Sequence, residues 1–300
     1  MGLALHNYHS ARYVPAGLVE GILQLIRRRY RWNNWSAHAL LLGYMEAKPI
    51  YDAHLFNLAS VARRGRRHDA SVTAFRTKVA SFLCPSDPNS GREFTCNYVG
   101  SMGPAIGYRV QTDSSGLFAM IRNWGLRDIT DGSSNTVASS ERLVGTPGRP
   151  DRTRGNGILN VGDGPGGNTH WEQTDLSQFP DRVLAVLQHC SARYQASDPV
   201  TPSGYQSGGQ YWGWGVSGIT LFNTLAPPNS SQYPWNSCRR DCAGCGVDSS
   251  HITNATSQHP GGCNVLMGDG RQVHQEHARR PHLVGSRHAA GGEVTSADSY

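Results

Sequence analysis

Turn-forming residues interrupt this chain so often after Cys84 that we expect short strands there rather than long helices. Pro, Gly, Asn and Asp cluster in CPSDPNSG, MGPAIG, TDSSG, TDGSSN and VGTPG, where they supply the fixed or positive φ that tight turns need. The apolar pieces next to these turns, VASFL just before the first turn and then NYVGS, GLFAM and NTVASSE, have the length of strands. Residues 146–180 have little periodic pattern and are expected to form an irregular insertion. Only 17% of residues are Asp, Glu, Lys or Arg, against about 25% in typical soluble domains, which also favours strands and loops.

Helical patterns are found near the start of the chain. Residues 35–58 form the most helix-like block, and Pro49 interrupts it. We therefore expect a helix, a break and a second short helix. The opening residues GLALHNYH predict the end of a helix that Pro15 and Gly17 terminate. This places a helix within residues 1–16 and a single α+β globular head over residues 17–300.

The charge of the chain does not indicate a nucleic-acid partner. The net charge is +6, but the positive residues are concentrated in IRRRYR and RRGRR, and no nucleic-acid-binding motif accompanies them. Two solvated basic loops explain them better. No run approaches the roughly 18 apolar residues of a membrane span, and the first residues do not form a signal peptide, so the chain as given has no export signal.

Seven cysteines allow several kinds of site. Cys238, Cys242 and Cys245 have a C-x3-C-x2-C spacing, which can hold an iron–sulfur cluster. Zinc bound by Cys242, Cys245 and a nearby His is a second interpretation. Disulfides formed in an oxidising compartment are the favoured one. The candidate disulfide cysteines are Cys84, Cys96, Cys238, Cys242, Cys245 and Cys263. Because the total is odd, one thiol lacks a partner within the chain.

The segment HPGGCNVLMGDG begins at His259 and ends with Asp269 and Gly270. Ten residues of strand span roughly 30 Å, so His259 and Asp269 are expected at opposite ends of a strand and not in one site. We predict an entry turn at Pro260, a strand with Val265 and Met267 on one side and Leu266 on the other, and a hairpin turn at Asp269–Gly270. His259 would then cap or hydrogen-bond the entry turn.

Two further loops have a functional and a structural interpretation. Asp128, Asp131, Asn135 and Glu141 supply oxygens that could hold calcium, but their order does not match an EF-hand, and a turn before a strand is favoured. Tyr211, Trp212 and Trp214 in YWGWG could form a glycan- or partner-binding surface. Core packing at alternate strand positions is the favoured interpretation of these rings. No common catalytic motif is present, so we expect a non-enzymatic protein, and calcium is the cofactor that these loops could bind.

Taken together, several blocks of the chain resemble a known family. In order they are LALHNYH, WSAHALLLGYMEAKPIYDAHLFNL, FLCPSDP, NYVGSMGP, GLRDITDGSSNTVASSE, YWGWGVSGITLFNT, HPGGCNVLMGDG and AGGEVTSADSY. They resemble the bacterial H-x9-DG proteins, a secreted, pseudopilin-like family catalogued as domain of unknown function 1559. His259, Asp269 and Gly270 match the signature of that family.

The resemblance implies a protein similar to a type IV pilin or a type II secretion pseudopilin. Such proteins carry a leader cut by a prepilin peptidase, an apolar helix that anchors in the inner membrane and packs in the filament core, and a head built on an antiparallel sheet. LALHNYH would be the end of that helix, and this chain would lack the leader and the apolar half. The resemblance implies a non-enzymatic structural subunit of the cell envelope or extracellular space. It would contact the membrane, and copies of itself or other pseudopilins, only through the missing helix.

Two stretches depart from the pattern of this family. They are residues 17–31 and residues 271–288, and the second contains His274, His277, His282 and His288 close after His259. Our hypothesis is a local reading-frame slip, which resequencing of the coding DNA would test. If the frame is intact, the His-rich tract is a candidate zinc or copper site.

Two other functions remain open. The first is a secreted module that captures a solute or polysaccharide through the aromatic and Asp/Asn-rich loops. The second is a metal-cofactor enzyme that uses Cys238, Cys242 and Cys245.

Overall fold

The computed structural model gives the chain a mixed α/β architecture with an antiparallel-rich sheet and few helices. It describes residues 1–11, 35–53, 73–92, 94–106, 114–119, 124–146, 153–164, 171, 175–196, 208–242, 246–247 and 250–276. The α-helices are α1 (Gly2–Ala11), α2 (Ala37–Leu41), α3 (Lys48–Asp52) and α4 (Pro180–Ala196). Short 3-10 helices span Leu42–Tyr44, Ala80–Phe82 and Leu126–Asp128. The basic runs, residues 17–31, His277, His282, His288 and AGGEVTSADSY lie outside the described residues.

The main sheet has five strands in the order β3-β1-β2-β6-β7. They are β1 (Tyr98–Ser101), β2 (Val137–Glu141), β3 (Leu221–Phe222), β6 (Gly262–Met267) and β7 (Gln272–Glu276). All neighbours are antiparallel except β1 and β3, which are parallel. A second sheet pairs β4 (Ser237–Cys238) with β5 (Ile252–Thr253). NYVGS and NTVASSE therefore contain strands, as predicted.

The predicted hairpin of HPGGCNVLMGDG is confirmed. β6 pairs antiparallel with β7, and the backbone N–H of Met267 donates to the carbonyl of Arg271 at 2.8 Å. Gly270 has a φ of +88°, which a residue with a side chain rarely adopts. Val265 and Met267 are buried and Leu266 is half-buried, as the predicted alternation requires. His259 and Asp269 flank β6 at opposite ends and do not form a pair.

Helix α1 packs across the main sheet. Leu5 is 3% exposed and belongs to the same apolar cluster as Phe118, Ala138 and Leu221. At the other end of the helix, Nε2 of His9 accepts a hydrogen bond from the backbone N–H of Leu126 at 3.0 Å. The predicted helix is confirmed over Gly2–Ala11, and its predicted end near Pro15 lies beyond the part of the chain that is described.

Two predictions for the first half of the chain have different outcomes. Residues 35–58 were expected to form two short helices, and α2 and α3 confirm them, with Pro49 in the first turn of α3. VASFL and GLFAM were expected to be strands, which is wrong. Ala80–Phe82 is a 3-10 helix, and residues 116–119 contain no strand. Within GLFAM, Gly116 crosses the backbone of Gly103 so closely that an added Cβ would lie 2.2 Å from the Gly103 nitrogen.

Helix α4 was not predicted, and it corrects the expectation that helices end before Cys84. Its buried residues include Val183, Val186, Leu187, Cys190 and Tyr194, which have the i, i+3, i+4, i+7 spacing of an apolar helix face. The stretch before α4, which was expected to form an irregular insertion, contributes to the buried core. Ile158, Trp171 and Leu176 lie in the same buried cluster as α4. The backbone N–H of Ile158 also donates to Ser237 of β4 at 2.8 Å.

The described helices do not include one that is long and apolar enough to cross a membrane.

Candidate functional site

Three side chains that are distant in the sequence meet beside the main sheet. Nε2 of His259 lies 3.2 Å from Oε1 of Glu141 and 3.5 Å from Sγ of Cys84. Sγ of Cys84 and Oε1 of Glu141 are 4.0 Å apart. Thiol, carboxylate and imidazole therefore converge on one point, and we name Cys84, Glu141 and His259 the Cys–Glu–His cluster.

The turn CPSD positions Cys84. The backbone N–H of Asp87 donates to the carbonyl of Cys84 at 3.2 Å, and Pro85 occupies the second position, where its fixed φ suits a turn. Oδ1 of Asn97 accepts the backbone N–H of Cys84 at 3.0 Å. The amide of Asn97 donates to Asp87 at 2.6 Å and to the carbonyl of Arg142 at 3.0 Å. Cys84 is thereby fixed to the start of β1 and the end of β2.

Glu141 is the last residue of β2, and its side chain is 4% exposed. Asn264 of β6 holds both carboxylate oxygens. Its backbone N–H donates to Oε2 at 3.0 Å, and its side-chain amide donates to Oε1 at 2.9 Å. A buried carboxylate needs such partners, because its desolvation is otherwise unfavourable. These two hydrogen bonds orient Oε1 toward Cys84 and His259.

His259 precedes the entry turn of β6, and its side chain is 30% exposed. Its backbone N–H donates to Oγ of Ser257 at 3.1 Å. The same ring nitrogen, Nε2, faces both Cys84 and Glu141. In a catalytic relay the nucleophile and the acid face different ring nitrogens. The geometry therefore fits shared binding of one ligand better than proton transfer from thiol to carboxylate.

A cavity of about 320 Å³ adjoins the Cys–Glu–His cluster. Its lining includes Tyr98, Ser139, Asn264 and Gln272. The pKa of Tyr98 is raised above its ordinary value, first by burial and then by its proximity to Cys84 and Glu141.

The cysteines correct several disulfide predictions. Cys190, which was not among the candidates, is bonded to Cys238, and Cys242 is also disulfide-bonded. Cys84, Cys96 and Cys263 are buried free thiols. Burial raises the pKa of Cys96 to about 12 and that of Cys263 still further, so both are poor nucleophiles. Cys245 lies outside the described residues.

The disulfides also bear on the predicted metal centre at the C-x3-C-x2-C triplet. Cys238 and Cys242 are both oxidised, and only a thiolate can bind iron or zinc. The triplet therefore cannot hold an iron–sulfur cluster in this structure. The zinc interpretation, which used Cys242, is wrong for the same reason.

The candidate calcium residues do not form one group. Asp131 and Asn135 share the turn before β2, where the amide of Asn135 donates to the carbonyl of Asp131 at 3.2 Å. Asp128 accepts the backbone N–H of Gly125 at 2.6 Å. Glu141 lies at the far end of β2, six residues and roughly 20 Å beyond Asn135. The favoured interpretation, a turn before a strand, matches the observed structure.

The aromatic loop is largely part of the core. Trp212 is 0% exposed, its Nε1 donates to the carbonyl of Thr77 at 3.0 Å, and its ring packs on Phe75 and Phe82. A buried ring cannot stack on a sugar, so Trp212 agrees with the favoured interpretation, core packing, and not with the alternative of a glycan-binding surface. Tyr211 and Trp214 are half-buried and pack edge to face on each other. Trp212 lies in a turn and Trp214 forms an isolated β-bridge with Trp35, so the rings do not occupy alternate positions of one strand.

The described part of the His-rich tract is His274 on β7. Its Nδ1 lies 3.4 Å from Oδ1 of Asn264, and its Nε2 lies 3.2 Å from the carbonyl of Pro260. His274 is exposed and bridges the hairpin to its entry turn.

Each member of the Cys–Glu–His cluster could be singled out in the sequence, but the sequence does not show that the three lie together. Glu141 was assigned to calcium, Cys84 to a disulfide and His259 to a turn. Cys84 is 57 positions from Glu141 and 175 from His259. The signal in the sequence is that each of the three residues lies next to a predicted strand or turn. One sequence does not reveal that these three blocks are neighbours.

Comparison with known proteins bears on the identity of the chain. The curated proteins and the solved structures contain no match to it. A family model described as "Protein of unknown function (DUF1559)" matches residues 1–275. The matched residues include the Cys–Glu–His cluster and strand β6. Since the match covers most of the chain, the protein belongs to the DUF1559 family.

Proposed function

We propose that this protein is a non-enzymatic, pseudopilin-like structural subunit of the cell envelope or the extracellular space. The observation that carries the proposal is the packing of α1 on an antiparallel sheet, which is the arrangement expected of a pilin-type head. Three residues on one face of the helix make this contact. They are Gly2 beside Leu266, Leu5 in the sheet cluster and His9 at Leu126.

The opposite face of α1 supports a role in assembly. Leu3, Asn7 and Ser10 are exposed, and Leu3 is 77% exposed. In the proposal the helix continues toward its N terminus as an apolar segment in the full-length protein. That segment anchors in the membrane and later packs among other copies, since apolar surface is stable only out of water. The sheet then displays its loops outward.

The disulfides support a location outside the cytoplasm. The bond between Cys190 and Cys238 joins α4 to β4, and Cys242 is disulfide-bonded as well. Structural disulfides form and persist mainly in oxidising compartments. The proposal involves no nucleic-acid partner and no catalytic step.

The DNA immediately ahead of Met1 tests this proposal. We expect an in-frame prepilin peptidase site followed by an apolar helical segment that continues into α1. A second test is the sedimentation behaviour of the 300-residue chain, which we expect to be monomeric or only weakly associated. The absence of an apolar segment upstream, or a stable filament formed by these 300 residues, would contradict the proposal.

A further inference from the structure

We propose that the Cys–Glu–His cluster binds a zinc ion. Cys84, Glu141 and His259 would supply one sulfur, one oxygen and one nitrogen ligand. The fourth position would face the adjoining cavity, where water or a small ligand can occupy it. This inference goes beyond the structural role proposed above and does not depend on it.

The spacing of the three ligand atoms fits a tetrahedral zinc ion. Zinc lies about 2.0–2.2 Å from nitrogen and oxygen ligands and about 2.3 Å from sulfur. At a tetrahedral angle these bond lengths place nitrogen about 3.4 Å from oxygen, and sulfur about 3.6 Å from either. The observed separations are 3.2 Å for His259 to Glu141, 3.5 Å for His259 to Cys84 and 4.0 Å for Cys84 to Glu141. Each lies within about 0.4 Å of the tetrahedral value, so small side-chain movements complete the site.

The orientation of the ligands is already set by their neighbours. Asn264 donates to both oxygens of Glu141, and Asn97 holds the backbone of Cys84. In metal sites such outer contacts fix the ligands and commonly change metal affinity by about 10- to 100-fold when they are removed. Binding therefore requires little ordering of side chains.

The chemistry of the three ligands selects zinc over the other common cations. A thiolate and an imidazole are poor ligands for calcium and magnesium, which prefer oxygen. Thiolate, imidazole and carboxylate together are typical zinc ligands. The thiolate of Cys84 and the carboxylate of Glu141 would also balance the two positive charges of the ion. Charge neutralisation favours binding here, because two of the three ligand residues are buried.

The cavity gives the site an open side. Three protein ligands leave one coordination position of a tetrahedral ion free, and the cluster forms part of the wall of a cavity of about 320 Å³. Asn264 and Gln272 also line this cavity and offer hydrogen bonds to a bound group. Structural zinc sites with four protein ligands lack such an opening.

Zinc titration of the full 300-residue chain tests the proposal. The protein, with its disulfides kept intact, is freed of metal and titrated with Zn²⁺ against a chromophoric chelator, and Co²⁺ is used as a spectroscopic substitute. We expect one ion per chain and a thiolate-to-cobalt charge-transfer band. Cys84→Ser should remove that band, and Cys84→Ser, Glu141→Gln and His259→Asn should each weaken zinc binding at least about tenfold.

Two variants are matched controls. Cys96→Ala removes another buried free thiol, and His282→Gln removes a histidine of the His-rich tract. Both should bind zinc as the native protein does. His259 is part-exposed, so His259→Asn should retain its fold, and circular dichroism verifies this.

Three results would overturn the zinc site. They are no stoichiometric binding by the native protein, unchanged binding by the folded His259→Asn variant, and loss of binding in His282→Gln. The last result would assign the metal to the His-rich tract. A failure here leaves the upstream DNA test of the structural role unaffected, so the two proposals fail separately.

Discussion

Asn264 holds both oxygens of the buried Glu141 carboxylate, one through its backbone N–H at 3.0 Å and the other through its side-chain amide at 2.9 Å. This contact joins the end of β2 to β6 and orients one wall of the Cys–Glu–His cluster. Asn264 lies on β6 beside Val265, so the β6–β7 hairpin helps to position the cluster.

The Glu141→Gln substitution should destabilise the protein by about 2 kcal/mol, which is typical for hydrogen bonds to a buried charge. The side-chain amide of the new Gln would direct its N–H groups either against an N–H group of Asn264 or toward His259. Urea unfolding in the absence of metal measures the loss. Asp52→Asn is the control, because Asp52 forms an exposed i, i+4 pair with Lys48 that contributes less than about 0.5 kcal/mol. Equal losses in the two variants would mean that the buried contact is unimportant.

Loss of the disulfide between Cys190 and Cys238 should reduce the free energy of unfolding substantially. The bond closes a loop with a sequence separation of 48, for which chain-entropy arguments give about 4 kcal/mol. Unfolding of Cys190→Ala compared with the native protein measures this. Peptide mapping without reductant should recover the Cys190–Cys238 pair. Recovery of Cys84, Cys96 or Cys263 in a disulfide instead would contradict the structure.

Trp212→Ala should cost about 3–5 kcal/mol, the range for truncating a fully buried aromatic residue. Trp214→Ala should cost less, because Trp214 is half-buried. Denaturant unfolding of both variants provides the comparison. A Trp212→Ala protein with native stability that loses only glycan binding on an array would instead support a sugar-binding surface.

Stability should fall as the pH decreases from about 6.5 to about 4. Burial lowers the pKa of His38 to about 4. The hydrogen bond to the Tyr98 carbonyl opposes this shift in part, and the N-terminal amine adds to it. His251 also has a pKa of about 4 through burial, which Asp241 partly opposes and Arg240 and Arg239 reinforce. The unfolded state, with a histidine pKa near 6.5, binds more protons in this range, so acid favours unfolding.

Unfolding of the native protein and of His38→Gln at pH 7 and pH 5 checks this expectation. The native protein should lose more stability between the two pH values than the variant, since the variant has one buried imidazole fewer to protonate. An identical loss in both proteins would show that His38 does not contribute.

Local features of the fold could be predicted from the sequence. The hairpin follows from Asp269 and Gly270, because turn chemistry is set by adjacent residues. Two short helices within residues 35–58 and the strand that contains Val137 were predicted for the same reason, although the break lies before Pro49, which is in the first turn of α3. Helix α4 could also have been recognised, since Val183, Val186, Leu187 and Cys190 have a helical spacing, but the surrounding turn signals obscured it.

Long-range features could not be predicted in this way. The pairing of Cys190 with Cys238 depends on how α4 packs against β4, and cysteine counting gives no connectivity. The burial of Trp212 depends on contacts with Phe75 and Phe82, which are more than a hundred positions away. The Cys–Glu–His cluster likewise requires β2 and β6 to be neighbours, which one chain does not encode in any local pattern.

The intact mass and cellular fraction of the protein isolated from its own cells test the central claim most directly. The account predicts a mature chain that extends beyond Met1 by an apolar segment, begins at a processed residue and is recovered from the membrane or the extracellular fraction. A chain that begins at Met1 and is recovered from the cytosol would contradict the assignment as a pseudopilin-like subunit.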